Sequence, residues 1–247
     1  MNSTLPLALT FLTKLPWPWR GPADETALAR SMFWFPWVGA VLGLIFWGAW
    51  AGLHRALPVP AAAAVLLTLT VWITGGLHLD GLADTADGLG GGRTPAEALA
   101  IMKDSRVGAF GVISLILALV LKFSLFLSLA AQTTAAAALL LFPVISRWSM
   151  VLLAYLSPYA RAEGGLGQAM TLGVSPRVLL GASLSAGGLS LLILGAPGLA
   201  LLIAAAALVW LASLYFQRRL GGITGDILGA ANEVVEILVL AGAVMLT

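Results

Sequence analysis

Val107–Ala130 reads VGAFGVISLILALVLKFSLFLSLA, an almost unbroken apolar run in which Lys122 carries the only charge. About 20 mainly apolar residues are enough for one α-helix to cross the hydrocarbon core of a bilayer. Further runs of this kind recur along the whole chain, so we predict an all-α fold, a polytopic transmembrane bundle of about seven spans. It would form a single integral membrane domain over residues 1–247. The predicted spans are Phe33–Leu53, Ala61–Leu77, Val107–Ala130, Thr134–Leu156, Val178–Leu194, Leu199–Phe216 and Ile227–Leu246.

The composition of the chain supports this class. Of the 247 residues, 60% are hydrophobic and only 10% are charged, and the mean hydropathy is +0.99. A soluble domain carries roughly a quarter charged residues, so this chain has too few to cover a water-exposed surface. The same balance excludes a disordered chain, a coiled coil and a nucleic-acid-binding protein. Because cysteine is absent, disulfides, thiolate metal sites and a cysteine nucleophile are excluded as well.

Two features near the first span add detail. The apolar run Leu5–Leu12 is short and its positive charges come after it, so we interpret it as an interfacial or re-entrant segment rather than a signal peptide. Within the span, Gly39 with Gly43 and Gly48 with Gly52 have the spacing at which small residues allow two helices to pack closely.

The basic residues predict the orientation. With a cytoplasmic N-terminus and alternating spans, ten of the 13 basic residues lie on the cytoplasmic side and only Arg55 lies on the other. This asymmetry is what the positive-inside rule describes. Three polar or glycine-rich stretches then share the cytoplasmic face, where we expect the chemistry: residues 75–111, 157–176 and 218–236. The ten residues are Lys14, Arg20, Arg30, Arg93, Lys103, Arg106, Arg161, Arg177, Arg218 and Arg219.

An acidic stretch follows the second span and reads GGLHLDGLADTADGLGGGR over residues 75–93. Asp80, Asp84 and Asp87 have the spacing i, i+4 and i+7, which places three carboxylates on one stripe of a helix. Oxygen ligands beside a membrane edge suit Mg²⁺, which also binds substrate phosphates. His78 would serve as a base or a hydrogen-bond donor. The alternative interpretation is a polar interhelical connection whose aspartates only cap helices.

The glycines of this stretch carry a second signal. Gly88 and Gly91 belong to a run in which backbone N–H groups can approach an anion. Lys103, Asp104 and Arg106 follow, just before the third span. A helix N-terminus attracts anions, so the two basic side chains would hold phosphate and Asp104 would join the metal. The alternative for the two basic side chains is ordinary anchoring at the membrane surface.

Charged residues inside the spans are a further set of candidates. Lys122 and Arg147 fall near the middle of the third and fourth spans, where a charge is costly and is by default a functional candidate. They would pair with Asp226, Glu233 or Glu236, or bind an anionic group that enters the bundle. Asp226 and Glu233 share one helix face with Asn232 beside them, which suits a metal or a ribose hydroxyl. The alternative for Lys122 is snorkelling, in which its ammonium group reaches the membrane surface. The alternative for the residues near Asp226 is capping of the last helix.

Five segments together resemble the cobalamin synthase family, the adenosylcobinamide-GDP ribazoletransferases. They follow the family's order along the chain, and the second and third are the most specific. The segments are FLTKLPWP at Phe11–Pro18, GGLHLDGLADTADGLGG at Gly75–Gly91, IMKDSRVGAFG at Ile101–Gly111, YARAEGGLG at Tyr159–Gly167 and GGITGDILGAANE at Gly221–Glu233.

The resemblance implies a Mg²⁺-dependent transferase in the bacterial cytoplasmic (inner) membrane. Its substrates would be adenosylcobinamide-GDP and α-ribazole or α-ribazole 5′-phosphate, and its products GMP and adenosylcobalamin or the 5′-phosphate. By motif match, the family's metal and phosphate role falls on Asp80, Asp84, Asp87 and Asp104. Arg93, Lys103 and Arg106 would neutralise charge in the transition state. The sequence leaves a homo-oligomer open.

Two other function classes fit parts of the sequence. Asp84-x-x-Asp87-Gly88 resembles the start of the CDP-alcohol phosphotransferase signature, but the second aspartate pair of that signature is missing. A transporter would explain charges inside spans. However, no inverted repeat is visible, and the acidic and glycine-rich motifs lie at one membrane face rather than at the midplane, where transporter sites are found.

Overall fold

The computed structural model describes residues 4–17, 25–132, 134–161 and 166–246, and within these ranges the regular structure is helical. Arg20, and residues 18 and 162–165 of the segments quoted above, lie outside the described residues. A 3-10 turn, Met32–Trp34, joins the second helix to the third. The helices of the described ranges are α1 (Leu5–Leu12), α2 (Glu25–Ser31), α3 (Phe35–Ala56), α4 (Val59–Thr74), α5 (Leu77–Gly91), α6 (Pro95–Ile101), α7 (Ala109–Leu129), α8 (Ala135–Leu156), α9 (Leu166–Gly173), α10 (Pro176–Leu194), α11 (Ala196–Leu220) and α12 (Gly225–Met245).

Six helical segments in the described ranges are long and apolar enough to cross a membrane. The first combines α2 and α3 over Thr26–Ala56, and the others are α7, α8, α10, α11 and α12. A seventh span results if α4 and α5 are taken together as one bent pair. The all-α membrane bundle predicted from the apolar runs is therefore confirmed, with six or seven spans.

The break between α4 and α5 explains why the second predicted span, Ala61–Leu77, does not form one straight helix. Gly75 and Gly76 both have positive φ values, +64° and +71°, a region that a residue without a Cβ adopts readily. The two helices are bent by 87° at this point. We treat α4 as the membrane segment of this pair and α5 as a helix outside the spanning segments.

α8 lies at the centre of the bundle and is the most deeply buried of the six spans. A Cβ on Gly39 of α3 would overlap the backbone of Pro143 in α8, and one on Gly43 would overlap the backbone of Leu140. The prediction of close packing is confirmed for this pair only. A Cβ on Gly48 or Gly52 would meet no atom within 4 Å among the described residues.

The path of α5 positions the site. Its first turns cross the start of α12, where a Cβ on Gly81 would lie 2.6 Å from the carbonyl oxygen of Asp226. Its middle contacts the start of α7 through hydrogen bonds from Gly108 and Gly111. The guanidinium of Arg219, at the end of α11, donates to the Gly92 carbonyl at 2.5 Å. α5 therefore lies across one end of the bundle, where these ends of three spans meet.

Candidate active site

Asp80 and Asp84 form the open part of the predicted carboxylate stripe. α5 continues through Gly81 to Gly91 without a break, as the stripe requires. Asp80 is exposed and Asp84 is half-buried. The pKa of Asp84 is raised to about 6, first by partial burial and then by the negative charges of Asp80, Asp226 and Asp87. Asp84 therefore lies in a concentration of negative charge that a bound cation would relieve.

Asp87 faces away from this open part. Its side chain is 7% exposed, and its two carboxylate oxygens accept N–H groups from Gly108 at 2.7 Å and from Gly111 at 2.8 Å. These donors belong to the first turn of α7, where backbone N–H groups have no partner within the helix. Asp87 thus joins α5 to α7, and both of its oxygens are already engaged by peptide groups.

Asp226 brings α12 into the same region. Its carboxylate accepts hydrogen bonds from Arg161 at 2.8 Å and from the hydroxyl of Thr224 at 3.1 Å. The Thr224 hydroxyl accepts from the N–H of Ile227 and caps α12. The negative charge of Asp226 contributes to the raised pKa of Asp84, so the start of α12 lies close to the α5 carboxylates.

His78 is almost completely enclosed at the start of α5. Its side chain is 1% exposed, and within the described residues neither ring nitrogen has a hydrogen-bond partner. A buried polar group usually has a partner, so these two nitrogens are available to a ligand or to water. His78 lies on the wall of a cavity together with Asp80 and Asp226.

The charges inside the spans pair with one another. Lys122 donates to Glu233 at 2.6 Å and also to Glu236, and Arg147 donates to Glu236. The amide of Asn232 donates to the same Glu236 at 3.1 Å. The predicted pairing of Lys122 and Arg147 with acids of the last span is confirmed, and Lys122 is buried rather than snorkelling. The positive charges of Lys122 and Arg147 are therefore balanced by the negative charges of Glu233 and Glu236.

The connection from α5 to α7 carries the remaining predicted residues. Arg93, Lys103 and Arg106 are exposed. Asp104 binds the Arg106 guanidinium at 2.6 Å, and the hydrogen bonds from Arg106 lower the pKa of Asp104 to about 2. The structure pairs Asp104 with Arg106, and the charges that act on Asp84 do not include that of Asp104.

The two glycines predicted to approach an anion differ in their surroundings. Gly88 packs against Met102 and the carbonyl of Ala98, so its missing side chain makes room for α6. Gly91 is exposed at the end of α5, and only the tip of Ile101 would touch a Cβ added there. Gly88 therefore brings α5 and α6 together, whereas Gly91 stays open.

Two cavities flank Asp80. The inner cavity has a volume of about 290 Å³ and lies between α5, α12 and the segment that carries Tyr159 and Arg161. The outer groove has a volume of about 620 Å³ and lies between α1, the α4–α5 break and α7. Among the described residues, three line both spaces, namely Phe11, Leu77 and Asp80.

The carboxylates of this region supply part of the ligand set that a hard divalent cation requires. Across the described residues, no three acidic or histidine side chains converge as a complete metal site. Mg²⁺, however, commonly uses one or two carboxylates and takes its other ligands from water and substrate phosphates. Asp80 and Asp84 provide such a pair, and the raised pKa of Asp84 marks a local excess of negative charge. The residues present therefore fit Mg²⁺ together with a phosphate substrate.

Comparison with known proteins decides the family. A family model described as cobalamin-5-phosphate synthase matches residues 4–244, almost the whole chain. The chain belongs to the cobalamin-5-phosphate synthase family. This confirms the resemblance drawn from the five segments.

Curated relatives match this chain over nearly their full lengths. The adenosylcobinamide-GDP ribazoletransferase of Syntrophobacter fumaroxidans is 44% identical over 238 residues, which cover 96% of each chain. The protein of the same name from Desulfitobacterium hafniense is 41% identical, covering 96% of this chain and 94% of the relative. The one from Pseudomonas fluorescens SBW25 is 43% identical, covering 96% and 97%. No solved structure matches the chain.

Sequence reasoning gave no role in a cavity to four residues of this chain. Phe11 and Lys14 come from the N-terminal segment, and Tyr159 and Arg161 come from the connection after α8. All four lie within the segments that carried the family resemblance. Those segments were therefore the available signal, but only the folded chain shows which cavity each residue lines.

Proposed function

We propose that this chain transfers the phosphocobinamide group of adenosylcobinamide-GDP to α-ribazole or α-ribazole 5′-phosphate. The products are GMP and adenosylcobalamin or its 5′-phosphate. The observation that carries the proposal is the family match over residues 4–244 together with the open carboxylate pair on α5. The relatives' shared name supplies the donor and the acceptor class.

In this proposal Asp80 and Asp84 hold Mg²⁺. When bound, the metal would neutralise diphosphate charge and orient the phosphoryl group for transfer. Asp226 adds a third carboxylate beside the pair, and Arg161 fixes its position. Asp87 and Asp104 were also predicted as metal ligands. Here Asp87 holds the start of α7, and Asp104 binds Arg106 on the exposed connection.

The residues of the chain also account for the covalent step. A ribazole hydroxyl oxygen forms a new bond to the phosphorus on the cobinamide side of the diphosphate. The bond from that phosphorus to the bridging oxygen breaks, and GMP leaves with that oxygen. The hydroxyl proton passes to His78 or Asp226, which both line the inner cavity. Arg93, Lys103 and Arg106, which the sequence predicted would neutralise the phosphate charge, lie on the exposed connection after α5 and are not among the residues that line the two cavities.

The proposed membrane setting is the bacterial cytoplasmic membrane, with the site facing the cytoplasm. The ten-to-one distribution of basic residues supports this orientation. The end of α5 and the starts of α7 and α12 lie on the same end of the bundle as the carboxylate pair.

The test is purified protein in lipid nanodiscs supplied with both substrates. We expect GMP and the corrinoid nucleotide to form together, activity to stop when EDTA is added, and activity to return with excess Mg²⁺. GMP formation that is unchanged by EDTA would overturn the metal assignment. A corrinoid product lacking the ribazole group would overturn the transfer itself.

A further inference from the structure

Asp80 lies between two separate spaces. On one side is the inner cavity of about 290 Å³, and on the other is the outer groove of about 620 Å³. Among the described residues, the wall that they share consists of Phe11, Leu77 and Asp80, of which only Asp80 is charged. A reaction that joins two substrates needs both of them within reach of the same groups.

Building on the function proposed above, we infer that each substrate has its own cavity. The inner cavity binds the acceptor nucleoside, ribazole or its phosphate. The outer groove binds the corrinoid end of the donor, and the diphosphate lies at the shared wall. The new O–P bond then forms beside Asp80, and GMP leaves when the bond to the bridging oxygen breaks.

The size and apolar lining of the inner cavity suit a nucleoside. Its volume of about 290 Å³ is just below the roughly 300–1,000 Å³ that small-molecule sites occupy, which suits a small ligand. Met150, Met170 and Tyr159 contribute thioether and aromatic surface to its wall. Sulfur and aromatic groups pack favourably on a flat aromatic ring such as the benzimidazole of ribazole.

The polar groups of the inner cavity also match a ribose. His78 is 1% exposed and has two ring nitrogens without partners among the described residues. Asp226 and Arg161 form a hydrogen-bonded pair on the same wall. Hydroxyl groups both donate and accept, so a ribose can bond to the imidazole and to the carboxylate at once. An unpartnered buried imidazole on the wall is an independent sign that a polar ligand belongs here.

The outer groove suits the much larger donor. It has more than twice the volume of the inner cavity and lies beside Leu115 and Leu119 of the membrane-spanning α7. Apolar parts of a macrocycle can therefore rest against the bundle. Lys14 contributes a positive charge to the groove, and its backbone N–H donates to the Ile73 carbonyl at 2.7 Å, which ties this segment to α4. A cation in the same groove as Asp80 suits the diphosphate.

Two tryptophan substitutions separate the cavities. Met170→Trp fills part of the inner cavity, and Leu119→Trp fills part of the outer groove. We expect Met170→Trp to raise KM for α-ribazole phosphate by about tenfold or more, a loss of roughly 1.4 kcal/mol of binding, with little change in KM for adenosylcobinamide-GDP. Leu119→Trp should do the reverse. Leu192→Trp, at a position 82% exposed on α10, is the matched control and should change neither.

The outcomes are distinguishable. Wild-type protein that releases no GMP from the two substrates overturns the proposed function, and the cavity assignment with it. Wild-type activity combined with the opposite KM pattern, or with equal effects of both variants on both substrates, overturns the cavity assignment alone. If Met170→Trp does not yield a monodisperse protein, Met170→Phe places a smaller ring in the same cavity, and its KM values decide in the same way.

Discussion

The carboxylate of Asp87 on α5 accepts a hydrogen bond of 2.8 Å from the backbone N–H of Gly111 in the first turn of α7. Its other oxygen accepts the N–H of Gly108 at 2.7 Å. A residue that looks like a third metal ligand in the sequence therefore holds two helices in register. Asp84, one turn away on the same helix, is half-buried among the negative charges of Asp80 and Asp226, and the two aspartates should respond to substitution in opposite ways.

Asp87→Ala is expected to destabilise the protein. It removes a charged acceptor from two backbone donors, one buried and one partly buried, and a hydrogen bond to a charged group contributes about 1.5–3 kcal/mol. Thermal unfolding of the variant in nanodiscs should show a clearly lower Tm than the wild type. Asp104→Ala, which removes a carboxylate paired only at the surface, is the control and should leave Tm nearly unchanged. An unchanged Tm for Asp87→Ala would contradict the role assigned to Asp87.

Asp84→Asn is expected to stabilise the metal-free protein at neutral pH while removing activity. The pKa of Asp84 is about 6 in the folded chain, above its usual value of 3.8, so the folded state binds more protons than the unfolded state between these values. The wild type therefore loses stability as the pH rises from about 4 to about 6. The gain in Tm should be present at pH 7.5 and should vanish near pH 4. A lower Tm at pH 7.5 in EDTA would contradict this prediction.

Lys122→Met is expected to unfold much of the protein, because Glu233 would be left in the bundle without its cation. Breaking one side of a buried ion pair costs about 3–5 kcal/mol. In the double variant Lys122→Met with Glu233→Gln, the pair of Arg147 with Glu236 remains balanced, and most of the stability should return. The yield of monodisperse protein and its Tm measure both variants. If the double variant is no more stable than the single variant, ion pairing is not how this cluster stabilises the protein.

The predicted orientation can be tested because the chain contains no cysteine. Ser105→Cys places a thiol on the exposed connection before α7, and Ala131→Cys places one in the exposed turn after it. In intact cells, a membrane-impermeant maleimide should label Cys only in the Ala131 variant, whereas lysed cells should label both. Labelling of the Ser105 variant in intact cells would show that the orientation is the opposite of the predicted one.

Much of this fold follows from the sequence because the relevant forces act locally. Apolar runs of spanning length predicted the helices, and the i, i+4, i+7 spacing predicted the α5 stripe. The mutual pairing of Lys122 and Glu233 was also predictable, because a charge inside a span needs an opposite charge nearby.

The remaining features depend on contacts between residues that are far apart in the chain. Gly75 and Gly76 lay within the second predicted span, but their positive φ values turn the chain by 87°. Asp87 bonds to residues more than 20 positions away, which no local pattern reveals. Arg161 counted only as a cytoplasmic basic residue until its hydrogen bond to Asp226 placed it in the inner cavity.

The central claim is that the open carboxylate pair on α5 carries out transfer from adenosylcobinamide-GDP to ribazole. The most direct measurement quantifies GMP and the corrinoid nucleotide in one reaction for the wild type, Asp84→Asn and Asp104→Asn in nanodiscs with Mg²⁺. We predict equal amounts of the two products from the wild type, a rate lowered by a factor of about 10² or more in Asp84→Asn, and a much smaller loss in Asp104→Asn. Full activity in a folded Asp84→Asn protein, or GMP without the corrinoid nucleotide, would contradict it.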